Sequence, residues 1–522
     1  MATLPLGPLS PTNRREESFQ RRVQAASAYR TAAIPLNANN GDENLYPTKI
    51  GNFTKGLPHN ATGEVDLNAY QRLIDALSSG SPAAFNAIPL GCGANSRRLV
   101  NPQAGLAFDT EGHDCQQLEI GPAPAFASDE IGAEIVENYW MALLRDLPFE
   151  SYAGDPNAAN AAAELNSLNG FTGPRDPLTG QVTPGTLFRG LTPGDLDGPY
   201  LSQFLIKPVP FGAQGWDQVM TTPVSGMDFM TTPADFLAIQ NGCQPTSSLT
   251  FDTTPRLMRN GRDLSQWVHI DVLFQAYFNA CLIMLNNDPA NNPVGGGIGA
   301  LVDSGNPYRF SLTQDGFGTF GGPGIITLLC EVATRALKAV WFQKWYVHRR
   351  MRPEAYAGYL HFTKTGTKAF PVNAQALNST AAADVNTKFG SYLLPMAFPE
   401  GSPIHPAYGA GHATVAGACV TLLKAMFDEG QPISNPEFVD GAGVKHPWVG
   451  QPLTVGGELN KLASNVAIGR NIAGVHWRSD ATASLQLGEE IAISLLRDHK
   501  LMVNESFGGF SLTRFSGAQV TI

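Results

Sequence analysis

Residues 263–285 carry apolar side chains almost all the way round a helix: Trp267, Ile270, Val272, Phe274, Tyr277, Phe278, Leu282 and Leu285. A helix with no polar face must be buried on most sides, so it needs other helices around it. The chain supplies them. In 66–77, Leu67, Tyr70, Leu73, Ile74 and Leu77 recur at helical spacing behind Asp66 as cap. In 129–149, Ser128 caps, Asp129 and Glu130 complement the helix dipole, and Pro148 ends a stripe of Ile131, Ile135, Tyr139, Leu143 and Leu147. Pro323 opens a long helix to about Arg350, which stops because the residue before Pro353 is pushed out of helical geometry. Residues 411–428 and 458–470 have small or aliphatic faces, and Ser479-Asp480 caps a last helix to about Arg497. Strands are scarce. The fold class expected is mainly α, with long ordered loops and few short strands.

Between these helices, 80–127 and 153–261 are dense in Gly, Pro, Thr and Asn. Loops of that length are functional covers or subunit contacts. Residues 1–60 are polar, with little periodicity, and read as an arm that wraps neighbouring surface. That leaves 61–522 as a single helical domain, its site within 341–480. The stretch 294–324 is Gly-rich, and Gln314-Asp315-Gly316 has the oxygen chemistry for a structural calcium. A plain loop is the preferred reading of it.

A net charge of −10 excludes a basic face for nucleic acid. Against that background, six Lys or Arg stand against one acid from Glu331 to Pro353, a local field aimed at a small anion. The bland alternative is a solvated helix face. No apolar run reaches membrane-spanning length, and the first thirty residues lack the apolar core of a secretory signal, so a soluble, cytoplasmic chain is expected. The six cysteines are too sparse for a disulfide framework. Cys281, Cys330 and Cys419 read as small core residues. Cys92 and Cys115 lie in loops, where pairing with each other or across a subunit boundary stays open. No zinc-ligand spacing is present.

The anion-binding residues fall in three blocks. Lys344 is followed by seven residues and then Arg352-Pro353; Gly411-His412 closes a turn that begins at His405; Arg470 precedes His476 by five residues. Two guanidiniums, one ammonium and the amides of a Gly-rich turn form the inventory a tetrahedral oxyanion needs. The histidines remain for chemistry. His412 is the acid/base candidate, because imidazole exchanges protons near neutrality. His405 either walls the pocket or hydrogen-bonds in a loop. His348, Arg349 and Arg350 are left outside the site, the two arginines as partners of the many acids, and Trp341 reads as core more than halide pocket.

These blocks resemble the three signature blocks of the vanadium-dependent haloperoxidases, a branch of the type-2 phosphatidic acid phosphatase superfamily. The Lys-to-Arg spacing and the second histidine at His405 are similar to the algal and cyanobacterial bromoperoxidases. The resemblance implies two four-helix bundles and orthovanadate held by Lys344, Arg352, Arg470 and the turn Ala410-Gly411, with His476 as metal ligand. It also implies oxidation of bromide and iodide, with chloride an open case, by hydrogen peroxide to hypohalous acid that halogenates organic acceptors. Lys344 and His412 would assist. No haem, flavin or nicotinamide is implied. A large homo-oligomer is implied too, a dodecamer among the forms that relatives take. One departure stands out: the family has Ser-Gly-His where this chain has Ala410-Gly411-His412, and alanine cannot donate to the anion. The competing function is an acid phosphatase in the same pocket, with His476 as nucleophile. A non-catalytic assembly protein is the third reading, and the clustered cations count against it.

Overall fold

In the computed structural model, residues 10–286 and 297–522 are described; residues 1–9 of the arm and 294–296 of the Gly-rich stretch lie outside them. The helix Gly411–Met426 is the axis of the fold, with every residue but His412 buried. Three long helices pack around it: Gly322–Phe342, Val455–Ile472 and Arg478–Met502. The closest crossing is set by glycine. A Cβ on Gly417 would overlap the Leu485 carbonyl oxygen, and one on Gly488 the Thr414 carbonyl oxygen, so these two helices meet backbone to backbone.

A second group gathers on Asp129–Leu143, which packs against Pro156–Ser167, Pro353–Lys364, Ala374–Leu377 and Thr380–Phe389. Buried ion pairs join the two groups: Arg350 to Glu134 at 2.9 Å, and Arg478 Nε to Glu137 at 2.8 Å. The described strands form three two-stranded antiparallel hairpins. The mainly α expectation holds.

Several elements differ from the sequence reading. The block 263–285 is two helices, Gly261–Ile270 and Gln275–Leu285, bent by 97°. Asp271 takes extended backbone and turns its carboxylate to His412, while Ile270 and Val272 are exposed. Their apolar character therefore reflects a surface, not a buried bundle face. The long helix after Pro323 changes character: Gly322–Phe342 is α-helical and Gln343–His348 is a π turn, closed by the Arg349 N–H to the Lys344 carbonyl at 3.0 Å. Such bulges recur at functional sites.

Within the arm, Pro11–Thr31 is a helix with Ala25 as its one buried residue. Ser10, Pro11 and the pairs Glu16–Gln20 and Glu17–Arg21 stabilise it without an apolar stripe, so hydrophobic periodicity could not reveal it. Further on, Ile50, Phe53 and Leu57 enter the core. Cys92 pairs with Cys243, not with Cys115 or across a boundary; Cys115 is buried and free, its thiol donating to the Gly105 and Ala107 carbonyls. Asp315 is exposed, and among the described residues no group of three His, Cys, Asp or Glu is placed to hold a metal. No single described helix is long and apolar enough to cross a membrane.

Candidate active site

The π turn places Lys344 in the interior, fully buried, its Nζ donating to the Pro406 and Ala407 carbonyls at 2.8 and 3.0 Å. One of its three protons is left over. Arg352 caps the helix Pro353–Lys364 and is 1% exposed. Its guanidinium donates to the His405 and Val475 carbonyls and lies 3.0 Å from His476 Nε2. Arg470, in the last turn of its helix, donates to the Val268 carbonyl at 2.6 Å, while its Nε is buried without a partner.

None of these three cations makes an ion pair among the described residues. Burial holds Lys344 well below the usual lysine range, and the charges of Arg352 and Arg470 press it lower. Burial also pushes Arg352 down to about 9, with Arg470 adding to the effect, and Arg470 down to about 10. Three buried cations whose partners are neutral carbonyls and imidazole nitrogens leave a positive hole that an anion would neutralise.

His476 faces that hole with its tautomer fixed. Its Nδ1 donates to Asp480 Oδ2 at 2.8 Å, so the lone pair sits on Nε2. Burial, then Arg352, Lys344, Arg470 and His405, hold it well below the ordinary imidazole value, and it stays neutral. Asp480 is itself held, accepting from the Trp477 amide at 3.1 Å and from Arg350 at 2.8 Å. The last helix spans Arg478–Met502, so Asp480 lies in its first turn and does not precede it. His405 is in the pocket wall: its Nδ1 accepts from Arg352 at 2.9 Å, and its ring lies 4.9 Å from that of Trp341.

His412 stands at the edge, 21% exposed, with Nε2 3.0 Å from Asp271 Oδ1. Burial alone would raise the Asp271 carboxyl; the charge and hydrogen bond of His412, with Arg470 behind, carry it below its usual value. Gly411 opens the His412 helix, whose first amides have no carbonyl within the helix. Ala410 is its N-cap, without a side-chain cap, and its own N–H is taken by Ser484 Oγ at 2.7 Å.

The structure therefore brings Lys344, Arg352, His405, Arg470 and His476 together, with the turn Ala410-Gly411-His412 beside them. Arg349 and Arg350 are paired with Glu43 and Glu134, as read from the sequence. Three residues were missed: Asp271, Asp480 as the partner of His476, and Ser484. Asp480 had a signal, four residues after His476 at one helical turn. Asp271 had none, being 141 residues from His412.

The buried histidines make the anion-free protein sensitive to acid. His59 and His348 are pushed down to about 4 and about 3, and His405 and His476 lie well below 6.5, all with burial as the leading cause. Above pH 6.5 these groups are neutral folded or unfolded. Below it the unfolded chain takes up protons that the native state refuses, so stability falls by at most about 1.4 kcal/mol per pH unit for each. Thermal unfolding without vanadate or phosphate should show the midpoint dropping from pH 6.5 to 5. An unchanged midpoint would contradict the burial of these rings.

The chain is 37% identical to a vanadium-dependent bromoperoxidase of Corallina pilulifera, across 98% of both chains. It belongs to the vanadium-dependent bromoperoxidase family. A second relative, from Ascophyllum nodosum, is 34% identical across 99% of this chain and 93% of its own. The homohexameric second vanadate-dependent bromoperoxidase (AnII) of Ascophyllum nodosum superposes with a TM-score of 0.91 at 33% identity, covering 99% of this chain and 94% of that one. Residues 326–505 match the family described as VCPO second helical-bundle domain.

Vanadate, the group the bromoperoxidase name implies, fits the residues present. The orphaned Arg470 Nε, the spare proton of Lys344 and the Nε2 lone pair of His476, which accepts from Arg352 until an anion comes between them, are what a tetrahedral oxyanion with one metal-bound nitrogen requires.

Proposed function

We propose that the chain oxidises bromide, and iodide, with hydrogen peroxide to hypohalous acid, on vanadate held by Lys344, Arg352, Arg470 and the Gly411 turn with His476 as ligand. The observation that carries this reading is the set of buried cations, paired with no carboxylate among the described residues, facing the Nε2 lone pair of His476. Lewis-acid activation of peroxide is the chemistry vanadate supplies when bound. Around it, the three buried cations would spread and neutralise oxyanion charge. Asp480 keeps the proton on His476 Nδ1 and so keeps the lone pair on Nε2, where Arg352 donates to it at 3.0 Å and a bound anion would take its place. His412, with its Nε2 hydrogen-bonded to Asp271, is exposed enough to take a proton from incoming peroxide and return it as water forms. Overall, peroxide, bromide and a proton give hypobromous acid and water.

Triiodide formation from iodide, measured with added vanadate and peroxide beside p-nitrophenyl phosphate hydrolysis, tests the reading. Phosphate ester turnover without halide oxidation would favour the phosphatase.

Ala410 lacks the family's serine hydroxyl. A serine there would cap the His412 helix and could donate one charge-assisted hydrogen bond to the anion, worth about 1.5–3 kcal/mol, or roughly ten- to a hundredfold in affinity. Ala410→Ser is expected to lower the vanadate concentration for half-maximal activity by that factor, with a smaller change in turnover. An unchanged titration would mean that Ser484, beside the same turn, already fills the role.

The chain also assembles as a homo-oligomer in this reading. The AnII relative is homohexameric, and the exposed helix Pro11–Thr31 offers an arm for contact. Light scattering separates a hexamer from a dodecamer, and a monomer would defeat the idea. A structural calcium at Gln314-Asp315-Gly316 stands apart from this reading and would bind through Asp315 and peptide carbonyls.

A further inference from the structure

Residues 50–57 run beside the backbone that delivers Arg352. Phe53 N–H donates to the Arg349 carbonyl at 2.7 Å, and Asn52 bridges antiparallel to Arg350. Two residues on, Lys55 turns inward and is 2% exposed. Its ammonium has an acceptor for each of its protons: Glu354 Oε1, the Ser402 carbonyl at 2.7 Å and the Glu400 carbonyl at 3.1 Å. Glu354 is 1% exposed and lies two residues after Arg352. Its second oxygen accepts from the Ser402 N–H at 2.8 Å and from the Ser402 hydroxyl at 2.6 Å.

This closed set grips the strap 400–402 just before the residues that wall the anion pocket. Gly401 has φ +60°, and a Cβ there would lie 3.0 Å from Glu354 Oε2 and 3.2 Å from Lys55 Nζ, so the strap lies directly against the pair. Further along the same strap, the His405 carbonyl accepts from Arg352 Nε at 3.0 Å, and the Pro406 and Ala407 carbonyls accept from Lys344. Arg352 is therefore set from two sides: it caps the helix whose first turn holds Glu354, and the strap supplies its acceptors. Both sides meet at Lys55. A buried ion pair is weak evidence for stability, since an apolar pair of similar volume often serves as well. An apolar pair would not give the strap these directional bonds.

We infer that Lys55 is a positioning residue for the anion pocket: with Glu354 it holds the 400–402 strap where the His405, Pro406 and Ala407 carbonyls aim Arg352 and Lys344. The inference rests on the vanadate-binding part of the function above, and it extends the site to a residue of the N-terminal segment, 299 positions from Glu354. Without the clamp the pocket cations keep their identity but lose their starting geometry. The anion must then order them as it binds, which weakens binding.

Calorimetric titration of the anion-free, full-length protein with orthovanadate tests the inference. Lys55→Met should weaken vanadate binding roughly tenfold, the usual cost of losing an outer partner of a metal site. That variant leaves Glu354 buried without its cation, so Lys55→Met/Glu354→Gln is titrated beside it. The neutral amide keeps a bond to Ser402 and should restore the melting temperature, but no ammonium reaches the Glu400 and Ser402 carbonyls, so the affinity loss should remain. Affinity that returns to the parent value in the double variant, or that follows melting temperature across the set, would overturn the inference by showing a role in stability alone. The unmodified protein gives a second test. Coupling between sites is reciprocal, so saturating vanadate should slow amide hydrogen exchange in residues 50–57 as well as in 400–407. Exchange unchanged in 50–57 would equally overturn the inference. A parent protein that binds vanadate but oxidises no bromide would instead overturn the function, since both measurements read binding alone.

Discussion

Replacing His476 by alanine is expected to abolish halide oxidation while leaving the protein folded. In His476, Asp480 takes the Nδ1 proton and Nε2 faces the cations, accepting from Arg352 at 3.0 Å. His405 instead turns its Nδ1 to Arg352, and His412 stands at the pocket edge with its Nε2 donating to Asp271. The loss should appear as missing vanadate-dependent turnover at any vanadate concentration, with near-native circular dichroism. Near-normal turnover would mean that another residue binds the metal. Asp480→Asn is the milder companion, since loss of an orienting partner typically costs about 10–100-fold.

Lys344→Met should have opposite effects on the two states of the protein. In the anion-free state Lys344 is desolvated beside two guanidiniums, bonded to the Pro406 and Ala407 carbonyls, and burial with those neighbouring charges disfavours its ammonium form. Exchanging a buried, poorly paired charge for an apolar chain of similar volume is often neutral or stabilising. The variant's anion-free melting temperature should therefore be no lower than the parent's. Vanadate affinity should fall about ten- to a hundredfold, the worth of one charge-assisted hydrogen bond. A large drop in anion-free stability would show that Lys344 is structural, and unchanged affinity would place it outside the anion's reach.

What the sequence made legible was local. The three blocks were readable because each holds its residues within a turn or two, and their cationic excess stood out against an acidic chain. The bundle helices were readable because burial imposes a period on apolar residues. What it hid depended on tertiary position. The break at 271–274 looked like continuous helix because Ile270 and Val272 face a surface, and the partnership of Asp271 with His412 spans 141 residues. The Cys92–Cys243 bond crosses a similar gap, with a sequence separation of 151. Helix Pro11–Thr31 left no apolar signature to find. The π turn at Lys344 is a change of hydrogen-bond register that residue identity does not announce.

The central claim is that the buried cations and His476 hold vanadate for halide oxidation. Dialysis of the full-length protein against phosphate and a chelator at acid pH, followed by return to neutral pH and titration with orthovanadate, tests it most directly. Bromide oxidation by peroxide should vanish on dialysis and return saturably with vanadate alone. Activity that survives dialysis, or that iron, zinc or haem restores in place of vanadate, would contradict the account.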